Sequence, residues 1–167
     1  MVLEQKKVKM EEHHWYAAKV FFNKTAPIVS YLQAYSVRFY LPSDIIPSLL
    51  FLYVTSDALH DFQSKFYDRL WIYSDRLTHR PSAIPDREMQ LFIFVTSAGK
   101  KGLIYLGEDR PEYHIGDRVR VTSGPFKGAE GHIKRIKKDR RLIITISGIA
   151  AVATTFIHPS LLEPITE

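Results

Sequence analysis

The spacing of hydrophobic residues divides the chain into two parts with different periods. Up to about residue 98, short apolar runs alternate with segments whose apolar side chains recur every three or four residues, the spacing of one helix face. This pattern predicts the order strand, helix, strand, strand, helix, strand, helix, which is typical of a small α/β sandwich. The strands are predicted over 14–22, 37–42, 48–54 and 71–74, and the helices over 24–36, 58–70 and 84–97.

Polar residues and prolines mark where these helices begin. Asn23 and Asp57 each precede a predicted helix, and a short polar side chain at that position accepts a hydrogen bond from a first-turn amide. Pro27 and Pro85 fit first turns, where the backbone N–H has no partner within the helix. We therefore expect Asn23 to cap the first helix and Asp57 to cap the second.

Beyond residue 98, apolar residues alternate with polar ones, as in half-buried strands. The alternating runs lie at 118–122, 132–138, 141–147 and 151–157, with short turns between them. Such short antiparallel strands predict a small curled barrel. The stretch before them is rich in glycine and charge, which is the composition of a linker. We expect an α+β protein with a charged leader at 1–13, an α/β domain at 14–98, a linker at 99–112 and a barrel domain at 113–165.

Glycines are concentrated around the first strand of the predicted barrel: Gly116, Gly124, Gly128 and Gly131. A tight barrel corner needs residues that adopt positive φ, which glycine does without strain. A phosphate-binding loop would be another use for such glycines, but GPFKGAEG lacks the GxxxxGK[ST] spacing. We expect Gly116 to open the first strand and the other three to shape the loop that follows it.

Positive charge is concentrated in the last third of the chain. The net charge is +5, and residues 1–109 carry 13 Lys/Arg against 12 Asp/Glu, whereas 110–167 carry 10 against 6. Cations cluster within eight residues that contain a single acid, Asp139, and one more cation precedes them: Lys134, Arg135, Lys137, Lys138, Arg140 and Arg141, with Lys127. Such a cluster suits a polyanion, because binding releases counterions. The alternative is a hairpin tip that its charge keeps soluble.

The residue types exclude several classes of function. The chain has no cysteine, which excludes disulfides, thiolate zinc sites and a cysteine nucleophile. Its histidines are scattered and no HExxH motif occurs, so the sequence indicates neither a metal site nor a catalytic group. The charged N-terminal stretch lacks the apolar core of a secretory signal, and the longest apolar run, 45–54, is shorter than the ~20 residues of a membrane span. We expect a cytoplasmic monomer that is not an enzyme, uses no cofactor and binds no membrane.

Several stretches resemble a known family. The residues GDRVRVTSGPFKGAEGHIKRI and the following LIITISG resemble a complete KOW motif, and HWYAAKV and IIPSLLFLYV resemble two strands of the NusG N-terminal domain. From Trp15 to about Leu162, the chain resembles a NusG-type transcription elongation factor. The runs LLFLYVTSDAL, PSAIPDREMQLF and AAVATTFIHPSLLE are most similar to UpxY-type antiterminators of surface or capsular polysaccharide operons. The resemblance implies an NGN-like α/β sandwich joined to a five-stranded, SH3-like KOW barrel.

The resemblance also implies an RNA polymerase-binding surface. NusG-type proteins dock an exposed apolar patch on the clamp helices of RNA polymerase and thereby suppress pausing and termination. The matching positions here are Leu49, Phe51 and Tyr53 on one strand, and the region from Tyr73 to Leu77. Alternate residues of a strand share a face. The residues alone favour a sheet whose two faces are both covered by its own helices, whereas the resemblance implies that one face is left for the polymerase.

The chain departs from the family at positions that concern further partners. Lys24 is followed by no basic residue until Arg38, so reading of non-template DNA by the first helix has little support. Ser147 stands where relatives present an aromatic ring to a ribosomal protein. Nascent RNA, non-template DNA and a ribosomal protein remain the candidate further partners. The alternative function is an RNA-binding or ribosome-associated KOW protein without a polymerase role.

Overall fold

The computed structural model describes residues 12–21, 23–98 and 102–166. In this part of the chain, three helices and two antiparallel sheets are formed. The first sheet and the helices occupy the N-terminal region: β1 (His14–Val20), α1 (Thr25–Ala34), β2 (Arg38–Tyr40), β3 (Leu49–Val54), α2 (Ser56–Lys65), β4 (Leu70–Ile72) and α3 (Asp86–Ala98). The predicted order of these seven elements is confirmed. None of the helices within the described residues is long and apolar enough to cross a lipid bilayer.

The first sheet has the strand order β2-β3-β1-β4, with every neighbouring pair antiparallel. Its two faces are covered by different helices. One face packs against α1 and α2, with buried side chains that include Leu50, Leu52 and Phe62. The other face packs against α3, where the rings of Phe51 and Phe92 lie 5.4 Å apart. Because strand side chains alternate, the continuous apolar run of β3 supplies both cores at once.

The helix starts differ from the predicted caps. Helix α1 begins at Thr25, after Lys24 as the N-cap, and Lys24 makes no side-chain capping bond. Asn23 instead adopts φ of 60°, a left-handed turn conformation that asparagine tolerates better than most residues. Helix α2 is capped by Thr55, whose hydroxyl accepts a hydrogen bond from the Ala58 N–H at 3.2 Å. Thr55 has the extended backbone that an N-cap needs, whereas Asp57 already lies inside the first turn.

The second sheet is larger than predicted. Within residues 102–166 it contains six strands in the order β10-β6-β7-β8-β9-β5. Their bounds are β5 (Ile104–Gly107), β6 (Arg118–Val121), β7 (Glu130–Ile136), β8 (Asp139–Ile146), β9 (Ala150–Phe156) and β10 (Leu162–Pro164). The edge strands β10 and β5 do not pair with each other, so the sheet does not close and the expected five-stranded, SH3-like barrel is not confirmed. Strand β5 lies in the segment predicted as a linker and pairs antiparallel with β9.

Helix α3 joins the two sheets into one packed unit. The core that α3 forms with β1 and β3 continues into the second sheet, through buried residues such as Met89, Leu142 and Ile144. Polar contacts flank this core. The Arg87 guanidinium lies 2.8 Å from the Glu130 carboxylate on β7, and the Glu88 carboxylate accepts hydrogen bonds from Ser147. Apolar burial and ion pairing therefore both hold α3 against the second sheet.

Candidate protein and nucleic-acid interfaces

Part of the predicted polymerase patch is buried. Phe51 is 0% exposed and Leu49 is also buried, because α3 covers their face of the first sheet. The expectation that these two residues lie on an exposed patch is therefore wrong, and the reading from the residues alone, with both faces covered internally, fits the structure better. Tyr53 is half-buried on the same face, and the Arg38 guanidinium lies 5.3 Å from its ring. The polymerase contact of Tyr53 stays a prediction.

The other part of the predicted patch lies on a hairpin that follows β4. Ser74 forms a bridge with Pro81, and the Asp75 carboxylate accepts hydrogen bonds from the backbone N–H groups of Leu77 and Thr78, both at 2.8 Å. These backbone hydrogen bonds lower the pKa of Asp75. The turn holds Leu77 at the tip, where its side chain is 91% exposed. This hairpin therefore presents an apolar side chain to solvent on a turn that hydrogen bonds to Asp75 stabilise.

Trp71 is an exposed aromatic residue that the sequence analysis did not select. It is 50% exposed, and its ring packs edge-on against Tyr73 at a centroid distance of 4.8 Å. Its neighbours Leu70 and Ile72 point into the core with α2, so Trp71 points to the opposite face, where β4 is the edge strand. The alternation in Leu-Trp-Ile is the signal that could have identified it.

A groove of about 440 Å³ lies between this hairpin and the second sheet. We call it the aromatic groove, and its walls include Trp71, Tyr73, Asp75, Arg76, His79, Glu108 and Gly148. Burial, then the neighbouring Tyr105 and Glu108, raises the pKa of the Tyr73 phenol. Burial and the Glu108 charge likewise raise the pKa of Tyr105. The Glu108 carboxylate therefore affects the pKa of both phenols.

Ion pairs and hydrogen bonds, in addition to apolar contacts, hold the second sheet against α3. Glu130 is surrounded by three guanidinium groups, with Arg120 and Arg87 at 2.8 Å and Arg118 at 3.4 Å. The hydrogen bonds from Arg120, followed by the charges of the three arginines, lower the pKa of Glu130 against the opposing effect of burial. Ser147, where the resemblance implied a possible ribosomal contact, is bonded to Glu88 at 2.6 Å. Ser147 therefore takes part in the contact between α3 and the second sheet.

The structure divides the predicted basic cluster into two groups. Lys134 lies 5.5 Å above the ring of Tyr113 and donates to the Glu112 carbonyl, and Arg141 donates to the carbonyls of Gly102 and Thr154. These two cations hold backbone segments in place. The other members are exposed at the turn between β7 and β8 or at its base: Arg135, Lys137, Lys138 and Arg140. Lys127 is also exposed, on the loop between β6 and β7.

The predicted structural glycines also fall into two groups. Gly116, Gly124 and Gly128 have φ between 88° and 113°, which fits the expected turn positions. Gly131 does not shape the loop, because it lies within β7. A Cβ atom at Gly131 would lie 2.3 Å from the Ile143 carbonyl oxygen of β8. Glycine is needed there for the close approach of two strands.

The described residues offer no site for a metal ion. Within 12–21, 23–98 and 102–166, no three His, Asp or Glu side chains lie close enough together to form one. The candidate sites are three surfaces, namely the hairpin with Leu77, the aromatic groove and the exposed cations between β7 and β8.

Comparison with known proteins gives two findings. The family model of the KOW motif matches residues 115–146, which span β6, β7 and β8. The solved structure described as "Domain interaction in Thermotoga maritima NusG" is similar with a TM-score of 0.54 and 20% sequence identity, over 93% of this chain and 98% of that chain. The chain has a NusG-like fold. A search of curated proteins finds no match.

The NusG-like fold extends over both sheets. Its similarity to the Thermotoga maritima protein covers nearly the whole chain and is therefore not limited to the KOW motif. The α1, α2 and α3 helices with the first sheet form one part of this fold, and the second sheet, which carries the KOW motif, forms the other.

Proposed function

We propose that the chain is a transcription elongation and antitermination factor that binds RNA polymerase and suppresses pausing and termination. The observation that carries this proposal is the occurrence of a KOW motif within a NusG-like fold that spans 93% of the chain. A factor that binds across the polymerase cleft acts by favouring the elongating state through differential contacts. The proposal includes a cytoplasmic location and needs no cofactor.

The proposed polymerase surface differs from the patch expected from the sequence. Two exposed apolar groups, Trp71 and Leu77, lie along β4 and its hairpin, with the half-buried Tyr73 between them. Leu49 and Phe51, in contrast, lie beneath α3. An exposed apolar patch with a polar rim is typical of a protein-binding surface, and Arg76 and His79 supply such a rim here. We place the polymerase contact on the exposed edge. Tyr53 stays a predicted contact residue, although it lies on β3, which β1 separates from β4.

The contact between α3 and the second sheet affects which surfaces are available to the polymerase. One side of α3 is covered by β8 in this arrangement. A polymerase contact that used the apolar side of α3 would require the second sheet to move away. The free energy of the α3 contact would then oppose polymerase binding, and factors that loosen the contact would promote it.

The specialisation is also part of the proposal. We propose that the factor serves surface or capsular polysaccharide operons, because the resemblance to UpxY-type antiterminators extends over runs in both halves of the chain. Mapping of nascent transcripts with and without the protein tests this. Readthrough restricted to one long operon supports the specialised role, whereas a diffuse effect on many genes contradicts it.

A pull-down with core RNA polymerase tests the docking surface. Leu77→Asp places a charge on the exposed hairpin tip and should weaken capture without unfolding the protein. Ile115→Asp is the matched control, since Ile115 is another exposed aliphatic residue, at 70%, outside the proposed surface. Substitution of Leu49 or Phe51 by aspartate is unsuitable, because a buried charge destabilises the fold itself. Equal capture of the Leu77→Asp and wild-type proteins would contradict the proposed surface.

One observation favours the second candidate function. The exposed cations at the β7–β8 turn form a surface that fits an RNA backbone. An RNA-binding or ribosome-associated KOW protein without a polymerase role would use this surface alone. Such a protein would bind RNA but would not be captured with core polymerase.

A further inference from the structure

The aromatic groove combines ring faces with a carboxylate. Trp71 and Tyr73 form an edge-on pair at 4.8 Å, and Trp71 is half exposed. Tyr105 on β5 is 39% exposed and lies close enough to Tyr73 to affect its ionisation. Two aromatic rings therefore line the groove, and Tyr105 of the second sheet lies near Tyr73 without lining it.

Glu108 supplies a negative charge that has no counter-ion among the residues that the structure describes. Its side chain is exposed at the groove, and no ion pair to it is formed within the described ranges. Glu108 lines the groove together with Trp71 and Tyr73, which places its carboxylate on the same concave surface as these two rings. The second carboxylate of the groove, Asp75, is already bonded to the backbone of its own turn.

We propose that the aromatic groove binds a cationic side chain, an arginine or lysine of a partner polypeptide. The faces of tryptophan and tyrosine attract cations, with tryptophan the strongest. Glu108 adds the complementary charge, and a guanidinium group can stack on a ring while it pairs with a carboxylate. A volume of about 440 Å³ admits one long side chain together with part of its backbone.

Basic side chains at the rim restrict what the groove accepts. Arg76 and His79 line it on the hairpin side, so the charge that favours a cation is confined to the wall formed by Glu108. The ligand should therefore enter with its charged end directed at Glu108 and with its apolar stem against Trp71. A long side chain with a terminal charge has this shape.

The groove exists only when the two sheets are packed together. Trp71 and Tyr73 belong to the hairpin side, whereas Glu108 and Gly148 belong to the second sheet and its turns. The Asp109 carboxylate accepts a hydrogen bond from the Gly148 N–H at 2.9 Å. This bond stabilises the β8–β9 turn, which forms one wall of the groove. A ligand in this groove touches both the hairpin and the second sheet. Its binding therefore stabilises the packing of the two sheets, and this packing favours binding by the same free energy.

Titration with short peptides tests this inference, and the test does not depend on the proposed polymerase role. The probes are glycyl-arginyl-glycine and glycyl-glutamyl-glycine, followed by NMR through the Trp71 indole N–H and the Tyr105 amide. The arginine peptide should cause saturable shifts at both positions, and the glutamate peptide should not. Glu108→Gln should weaken the binding about two- to fivefold. The matched control is Asp61→Asn, on exposed α2, which should leave binding unchanged.

Three results would overturn the inference. The first is the absence of a saturable shift at Trp71. The second is equal affinity of wild type and Glu108→Gln. The third is a saturable shift with single-stranded oligothymidine at concentrations where the arginine peptide gives none, because the groove would then be a base-stacking site. Both variants replace exposed carboxylates, so their spectra should retain the dispersion of the folded protein.

Discussion

Glu88 on α3 accepts two hydrogen bonds from Ser147 in the β8–β9 turn, one from the hydroxyl at 2.6 Å and one from the backbone N–H at 3.2 Å. Ser147 is thereby bonded to the helix that covers one face of the first sheet. Any partner that binds Ser147 must compete with Glu88. Such binding would weaken the contact between α3 and the second sheet by the same free energy by which that contact opposes it.

Replacement of Glu88 by alanine should loosen this contact. Hydrogen bonds to a charged acceptor contribute about 1 to 3 kcal/mol, and we expect about 1 kcal/mol here because Ser147 is exposed. Hydrogen exchange of the Ser147 amide measures the change and should become about fivefold faster. Asp86→Ala is the control, since it removes another first-turn carboxylate of α3. Equal exchange rates in both variants would show that the Glu88 bonds do not hold the turn.

Phe51 distinguishes a core position from a docking position. Its ring is fully buried against Phe92, whereas Phe94 on the same helix is 38% exposed. Phe51→Ala should lower the free energy of unfolding by about 3 to 5 kcal/mol, and Phe94→Ala should lower it by less than about 1 kcal/mol. Urea denaturation measures both values. If Phe51→Ala kept wild-type stability but lost polymerase binding, this result would instead support the original prediction that Phe51 contacts the polymerase.

The sequence predicted the elements of the first sheet because their hydrophobic period is local information. The residues also favoured a sheet covered on both faces, but they did not predict which helix covers which face, since the position of α3 is set by tertiary packing. The choice of Thr55 over Asp57 as the cap of α2 has a similar cause. Both are good capping residues, and the backbone path selects between them.

The second sheet shows the same limit. The short run that forms β5 lies between glycines and charges, and four residues are too few to establish a period. Its strand conformation depends on hydrogen bonds to β9, about fifty residues further along the chain. The aromatic groove could not be predicted either, because its walls come from segments that are distant in sequence. The exposed position of Trp71, in contrast, follows from strand alternation once Leu70 and Ile72 are assigned to the core.

Acid should weaken the contact between α3 and the second sheet through Glu130. The arginines around Glu130 lower its pKa in the folded protein, so its contribution to stability is present above the unfolded value of about 4.3 and is lost as the pH falls through the lower folded value. Glu130→Gln lacks this contribution at every pH. The difference in Tm between wild type and Glu130→Gln should therefore be largest near neutral pH and shrink below about pH 4. A difference that stays constant down to about pH 2 would assign the effect of the substitution to packing.

The two groups of basic residues should respond differently to alanine substitution. Lys134 and Arg141 donate to backbone carbonyls, so the double variant should lose about 1 to 3 kcal/mol of stability. The quadruple variant of Arg135, Lys137, Lys138 and Arg140 should keep its Tm and bind single-stranded RNA more weakly. Each lost phosphate contact should flatten the slope of log affinity against log salt by about 0.7.

A salt titration of RNA binding, with thermal melts of the same samples, separates the two effects. Lys65→Ala, which removes a cation from α2, serves as the control for net charge. Since counterion release depends on contacts with the RNA and not on total charge, this control should leave the slope unchanged. If the quadruple variant matched wild type in both affinity and slope, the exposed cations would serve solubility, and the second candidate function would lose the surface that supports it.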